Sequence, residues 1–174
     1  MSVPLQPIKT FGTSGNGWTN KLIFGDNLQV MKSLLDDPEV KGQVKLIYID
    51  PPLATKQEFR GSQDQKAYQD KIAGAKFVEF LRKRLIFLRE LLADDGSIYV
   101  HLDWRKDQHI RLIMDEIFLE NNFRNEIIWN YGAVGSNPLK DFQNSHNLIL
   151  RYSKTEHYIF NKVFKPLKRE KDYK

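Results

Sequence analysis

The sequence predicts an α/β fold, a mainly parallel sheet ending in an antiparallel hairpin, and three observations carry that expectation. Short β-branched and aromatic runs alternate with apolar stripes of helical period between Lys21 and Trp129, the order that builds strand–helix–strand units. One of those runs, Val44-Lys45-Leu46-Ile47-Tyr48-Ile49, stops abruptly on Asp50-Pro51-Pro52. Neither proline has an N–H to donate, so the chain must turn out of the sheet there, as strands do at the carboxyl edge of a parallel sheet. Near the end, residues 147–152 and 157–160 flank Ser153-Lys154-Thr155-Glu156, which reads as a hairpin.

Residues 1–20 are rich in Gly, Pro, Ser and Thr and read as an irregular arm. Gly12, Gly15 and Gly17 do not make a cofactor loop, because no strand precedes them and a strand, residues 21–24, follows. Gly25 ends that strand, and Asp26 or Asn27 caps a helix with Leu28, Met31, Leu34 and Leu35 on one side, stopped by Asp36-Asp37-Pro38. Beyond Asp50, residues 54–74 are polar and aperiodic, a length that suits a functional or mobile loop. Phe77, Phe80, Leu81, Leu85, Leu88, Leu91 and Leu92 then form a core stripe, with Arg82, Lys83, Arg84 and Glu90 on a solvated face. Asp94-Asp95-Gly96 signals a turn before a strand over 97–102, and Asp103 closes that strand as Asp50 closes the earlier one. A helix follows over 107–118 on Ile110, Ile113, Met114 and Ile117, then a strand over 126–129 and a long loop over 132–145. The catalytic unit is thus expected over 21–161, with 162–174 a basic tail or linker toward a further part of the protein.

The chain has 174 residues, 41% hydrophobic and 28% charged, the composition of an ordinary globular domain with one core. No apolar run approaches the ~20 residues of a membrane span, and the start lacks the pattern of a signal peptide, so the expected location is cytoplasmic, away from membranes. With no cysteine there are no disulfides or thiolate sites, and His101, His109, His146 and His157 lack ligand spacing, so no metal is expected. A net charge of +5 is compatible with a polyanionic partner. The terminal cluster Lys162, Lys165, Lys168, Arg169, Lys171 and Lys174 fits a solvated tail and phosphate contact equally well.

An acid and a rigid pair of carbonyls at a sheet edge suit an exocyclic amine on a nucleobase. The Asp50 carboxylate accepts one N–H and the Pro51 carbonyl the other, which draws the nitrogen lone pair out of conjugation toward an electrophile. Gly25-Asp26-Asn27-Leu28, the run Leu46 to Pro52, the run Asp95-Gly96-Ser97-Ile98-Tyr99-Val100-His101-Leu102-Asp103, and Met114-Asp115-Glu116-Ile117-Phe118 resemble, in order and spacing, the DNA amino-methyltransferases. The likeness covers roughly residues 20 to 160. It is closest to the permuted (β) subgroup, in which Asp-Pro-Pro-aromatic precedes the glycine motif, and to the adenine-N6 modification subunits of type III restriction systems.

The resemblance implies a Rossmann-like sheet, S-adenosylmethionine as cofactor, double-stranded DNA as substrate, and a homodimer or a restriction subunit as partner. It implies that Asp50, Pro51, Pro52 and Leu53 form the catalytic turn, at the end of a central parallel strand and facing a cleft. Asp26 is the implied cofactor contact; capping the following helix is an equally good and compatible role. Asp103 reads as a cap, His101 as a packed core histidine, and Trp104 as a core, surface or pocket residue. The family's reaction needs no covalent intermediate, which agrees with the absence of cysteine. The extrusion of a base would bring in the 54–74 loop.

Two departures stand out. Leu53 takes the place of the family's aromatic, which stacks on the extruded base, and no Phe-x-Gly-x-Gly follows residue 103. The expectation is therefore an N-terminal part that binds cofactor poorly by itself, with catalysis weakened by Leu53. A cytosine-N4 enzyme, an inactive DNA-binding remnant and a general nucleotide-binding module are the alternatives.

Overall fold

The computed structural model describes residues 3–10, 20–51, 75–132, 140 and 142–164. Four strands form one mixed sheet: β1 (Val44–Ile49), β2 (Leu92–Asp103), β3 (Phe123–Asn130) and β4 (His146–Ser153), in the order β1-β2-β4-β3. Among the described residues three α-helices accompany it, α1 (Asn27–Leu35), α2 (Ala75–Leu91) and α3 (Asp107–Phe118).

The sheet is less parallel than the sequence suggests. β1 and β2 are parallel, whereas β4 runs antiparallel to both β2 and β3. β1, β2 and β3 therefore point the same way, and their carboxyl ends, at Asp50, Asp103 and Asn130, share one edge with the start of β4. Within the described residues β1 is an outer strand, not a central one.

Strand alternation sorts the side chains onto two faces. Ile47, Ile98, Val100, Leu102, Leu150 and Tyr152 meet Phe77, Leu81 and Leu85 of α2 and Ile110, Met114 and Phe118 of α3 in one buried cluster. Each fully buried aliphatic there contributes about 1.5–3 kcal/mol, so this face holds most of the fold's apolar stabilisation. The opposite face carries Tyr48 from β1, Ser97, Tyr99 and His101 from β2, and Asn147, Ile149 and Arg151 from β4.

The helices form on their stripes, except that Leu92, read with the α2 stripe, is the first residue of β2. The Asp26 carboxylate accepts the Gln29 N–H at 3.1 Å and caps α1, whose Met31 is buried. Arg84 of α2 is buried, its Nε donating to Asn27 Oδ1 at 2.7 Å and its NH1 to the Phe80 carbonyl at 3.0 Å, so it is not part of a solvated face. Hydrogen-bonding capacity on a long stem lets an arginine bridge α2 to the start of α1.

Three other expectations give way. Residues 21–24 are not a strand; Leu22 and Phe24 are fully exposed and no described strand pairs with them. Asp94-Asp95-Gly96 lies inside β2 as an irregularity, where the pairing jumps from Val44↔Leu92 to Leu46↔Ser97. Residues 157–160 do not form a hairpin with β4, because both edges of β4 are already paired, to β2 and to β3. The segment instead crosses the start of β2, where the Ile159 N–H donates to the Asp95 carbonyl at 3.0 Å. It sets the rings of Tyr158 and Phe160 5.1 and 4.8 Å from the Arg151 guanidinium, covering that end of the open face.

Candidate functional site

Asp50 follows the last residue of β1, on the same side as Tyr48 by strand alternation, and its side chain is 63% exposed. Pro51 is buried directly behind it, which anchors the turn while the acid stays accessible. Pro52 and Leu53 lie outside the described residues, as does the 54–74 loop.

Among the described residues Asp50 faces a residue whose place in the sequence suggests the core. His101, on β2, has Nδ1 3.8 Å from Asp50 Oδ1 and 3.1 Å from the Tyr48 hydroxyl. On its other side the Asn147 amide donates to Nε2 at 3.0 Å. The ring sits on the open face, away from the apolar cluster beneath Val100 and Leu102, which corrects the core assignment. The sequence does not reveal Tyr48, His101 and Asn147 as a group, because they lie on three different strands and only the β1-β2-β4 order brings them together.

Asp103 does not cap α3, whose N-cap is Lys106 with no side-chain cap bond; it ties the turn before the helix. Its buried carboxylate accepts the Arg105 N–H at 2.7 Å and pairs with the Arg105 guanidinium, and the Lys106 N–H donates to its carbonyl at 3.2 Å, fixing the turn into α3. Trp104 is partly exposed at the same edge, with Arg105 4.9 Å from its ring. At the end of β3, Trp129 and Tyr131 are also exposed. The edge thus carries an accessible carboxylate at the end of β1 and exposed aromatic rings at the ends of β2 and β3.

Asp26 is not drawn into this cluster. Its partners are Gln29 and, at 3.7 Å, the guanidinium of Arg84. The carboxylate is still about half exposed, so one oxygen can accept a hydrogen bond from a bound molecule while the other caps α1. Among the described residues there is no group of His, Asp and Glu that could hold a metal ion, and no helix is long and apolar enough to cross a membrane.

Residues 44–174 match the DNA methylase family of N6- and N4-type enzymes, and the chain belongs to that family. It is 38% identical over 147 residues to the type II methyltransferase M.EcaI of Enterobacter cloacae, a match covering 84% of this chain and 32% of the relative. It is 34% identical over 151 residues to the probable type III restriction-modification enzyme HindVI Mod subunit of Haemophilus influenzae, covering 85% of this chain and 19% of that protein. The chain therefore spans a third or less of these relatives. A solved structure of M1.HpyAVI in complex with SAM superposes with a TM-score of 0.53 at 18% identity, over 84% of this chain and 60% of that one, and shares the fold.

Proposed function

We propose that the protein carrying this chain is an adenine-N6 DNA methyltransferase, the modification subunit of a type III restriction system. It would act on double-stranded DNA in the cytoplasm, as a homodimer or beside a restriction subunit. The observation that carries the reading is Asp50, exposed at the carboxyl end of β1 with buried Pro51 behind it. A carboxylate so placed accepts an amine N–H, and the Pro51 carbonyl is the adjacent acceptor for the second N–H. Binding the amine through both hydrogens holds its nitrogen in line for attack and favours the pyramidal form, without a covalent intermediate. Aspartate before Pro-Pro favours adenine, where cytosine-N4 enzymes more usually have serine.

S-adenosylmethionine fits the half-exposed Asp26 carboxylate, whose free acceptor capacity suits a ribose hydroxyl. When bound, it supplies the electrophilic methyl group. In this reading residue 53 covers the extruded base, and the 54–74 segment takes part in extruding it. Residues 21–161 would form the catalytic part, with the basic 162–174 segment leading toward the remainder.

The test is transfer of radiolabelled methyl groups to unmodified duplex DNA by the full-length protein and its Asp50→Ala variant. Activity is expected to fall to background while DNA affinity stays within about 2-fold, because the acid orients the amine and makes no phosphate contact. An Asp50→Ala protein that kept most of its activity would remove Asp50 from the chemistry. The second reading, an inactive DNA-binding remnant, is favoured by Leu53, and DNA binding with no methyl transfer by the parent would select it.

A further inference from the structure

His101 stands between three elements on the open face of the sheet, 20% exposed at the side chain, with each ring nitrogen engaged. The Asn147 amide turns its Nδ2, a donor only, toward Nε2, an arrangement that suits the tautomer with its proton on Nδ1. Nδ1 is the atom turned toward β1, 3.1 Å from the Tyr48 hydroxyl and 3.8 Å from Asp50 Oδ1. Tyr48 and His101 also meet edge to face, with ring centroids 6.3 Å apart. The imidazole is thereby clamped on both sides, with its one N–H aimed at the end of β1.

We propose that His101 is a positioning residue for Asp50: anchored by Asn147, it shares its Nδ1–H between the Tyr48 hydroxyl and the carboxylate and so selects the rotamer in which Asp50 receives the target amine. The inference rests on the role given to Asp50 above. An exposed carboxylate on a short side chain samples several rotamers, and one donor at the strand end selects among them. A movement of under ~1 Å closes the 3.8 Å separation to hydrogen-bond length, and misplacement on that scale costs about 10²-fold in rate when it affects a reacting group's partner. Because the proposed effect acts through the Asp50 carboxylate, it belongs to turnover and not to DNA affinity.

The test is made on the full-length enzyme, with S-adenosylmethionine and unmodified duplex DNA, measuring kcat by single turnover and Kd by filter binding. Removing the ring in His101→Leu is expected to lower kcat by about 10- to 100-fold with Kd within about 2-fold. His101→Asn, whose amide N–H falls where Nδ1–H was, restores most of the loss; His101→Gln, whose amide falls at the Nε2 position, does not. Asn147→Ala loosens the clamp and is expected to lower kcat about 5-fold in the parent, yet change nothing in the His101→Leu background. If His101→Leu folds poorly, as judged by its melting temperature, Asn147→Ala in the parent decides instead: a kcat within about 2-fold of the parent value overturns the proposal. Folded His101→Leu with kcat near the parent value, or equal rescue by Asn and Gln, overturns the proposal. Asp50→Ala in the same assay separates the two readings: if it abolishes transfer while the His101 variants stay active, only the positioning role fails, and if it stays active the role of Asp50 fails first.

Discussion

Leu53 is the residue whose replacement most directly reads how the target base is held. Stacking on an aromatic side chain contributes about 1–3 kcal/mol per base. If leucine recovers half of that, the deficit is about 0.5–1.5 kcal/mol, or roughly 2- to 12-fold in holding an extruded base. Leu53→Phe or Leu53→Tyr is therefore expected to raise turnover by that factor on paired DNA, and by less on a mismatched target, where less unstacking must be offset. Steady-state assays on the two substrates check both statements. Equal rates for the parent and its Leu53→Phe variant would assign the covering role to another ring, Trp104 being exposed at the same edge.

At the scale of elements, Gly96 shows why β2 keeps its irregular start. A Cβ there would meet the Val44 carbonyl oxygen and Leu92 Cγ, each at 2.9 Å, and the carbonyl belongs to the paired backbone of β1. Gly96→Ala must push β1 and β2 apart, and it is expected to destabilise the protein by about 1–3 kcal/mol, measured by urea unfolding. The same element marks the limit of what the sequence could say. The α3 stripe Ile110, Ile113, Met114 and Ile117 has one interpretation, and the helix spans Asp107–Phe118 as read. Asp94-Asp95-Gly96 has two, since a turn and a bulge draw on the same residues, and only the partner strand chooses between them. Residues 157–160 likewise carry strand propensity, but propensity is blind to whether a neighbouring edge is free. Asp50 could be placed at a strand end because its signal is local, whereas its neighbours Tyr48, His101 and Asn147 depend on strand order, which periodicity does not encode.

For the molecule as a whole, Tyr152 ties β4 to α3. Its ring is fully buried between Phe118 and Phe123, and its hydroxyl donates to Asp115 Oδ1 at 2.5 Å. Burial, followed by that hydrogen bond, raises its pKa far above the ordinary tyrosine value of 10.0. The unfolded chain therefore releases this proton above about pH 10 while the folded one retains it, so stability falls as pH rises past that point. Tyr152→Phe is expected to cost about 1–2 kcal/mol near neutrality and to flatten the alkaline limb of the stability curve. Chemical unfolding at about pH 8 and about pH 11, on either side of the unfolded tyrosine's titration, checks both, and an unchanged alkaline slope in the variant would place the linkage elsewhere.

The outer position of β1 bears on how this polypeptide can be handled. One side of its backbone ladder is engaged by β2, and no described strand occupies the other. Leu46 and Tyr48 are exposed on it, and Lys45, the charge that would discourage a stray partner, is tied to Asp95 at 2.6 Å. A strand edge left open, as this one is among the described residues, is a template for any extended segment that drifts near. Stocks of the isolated 174-residue chain should accordingly grow turbid with time and concentration, faster in high salt, where the repulsion of its +5 charge is screened.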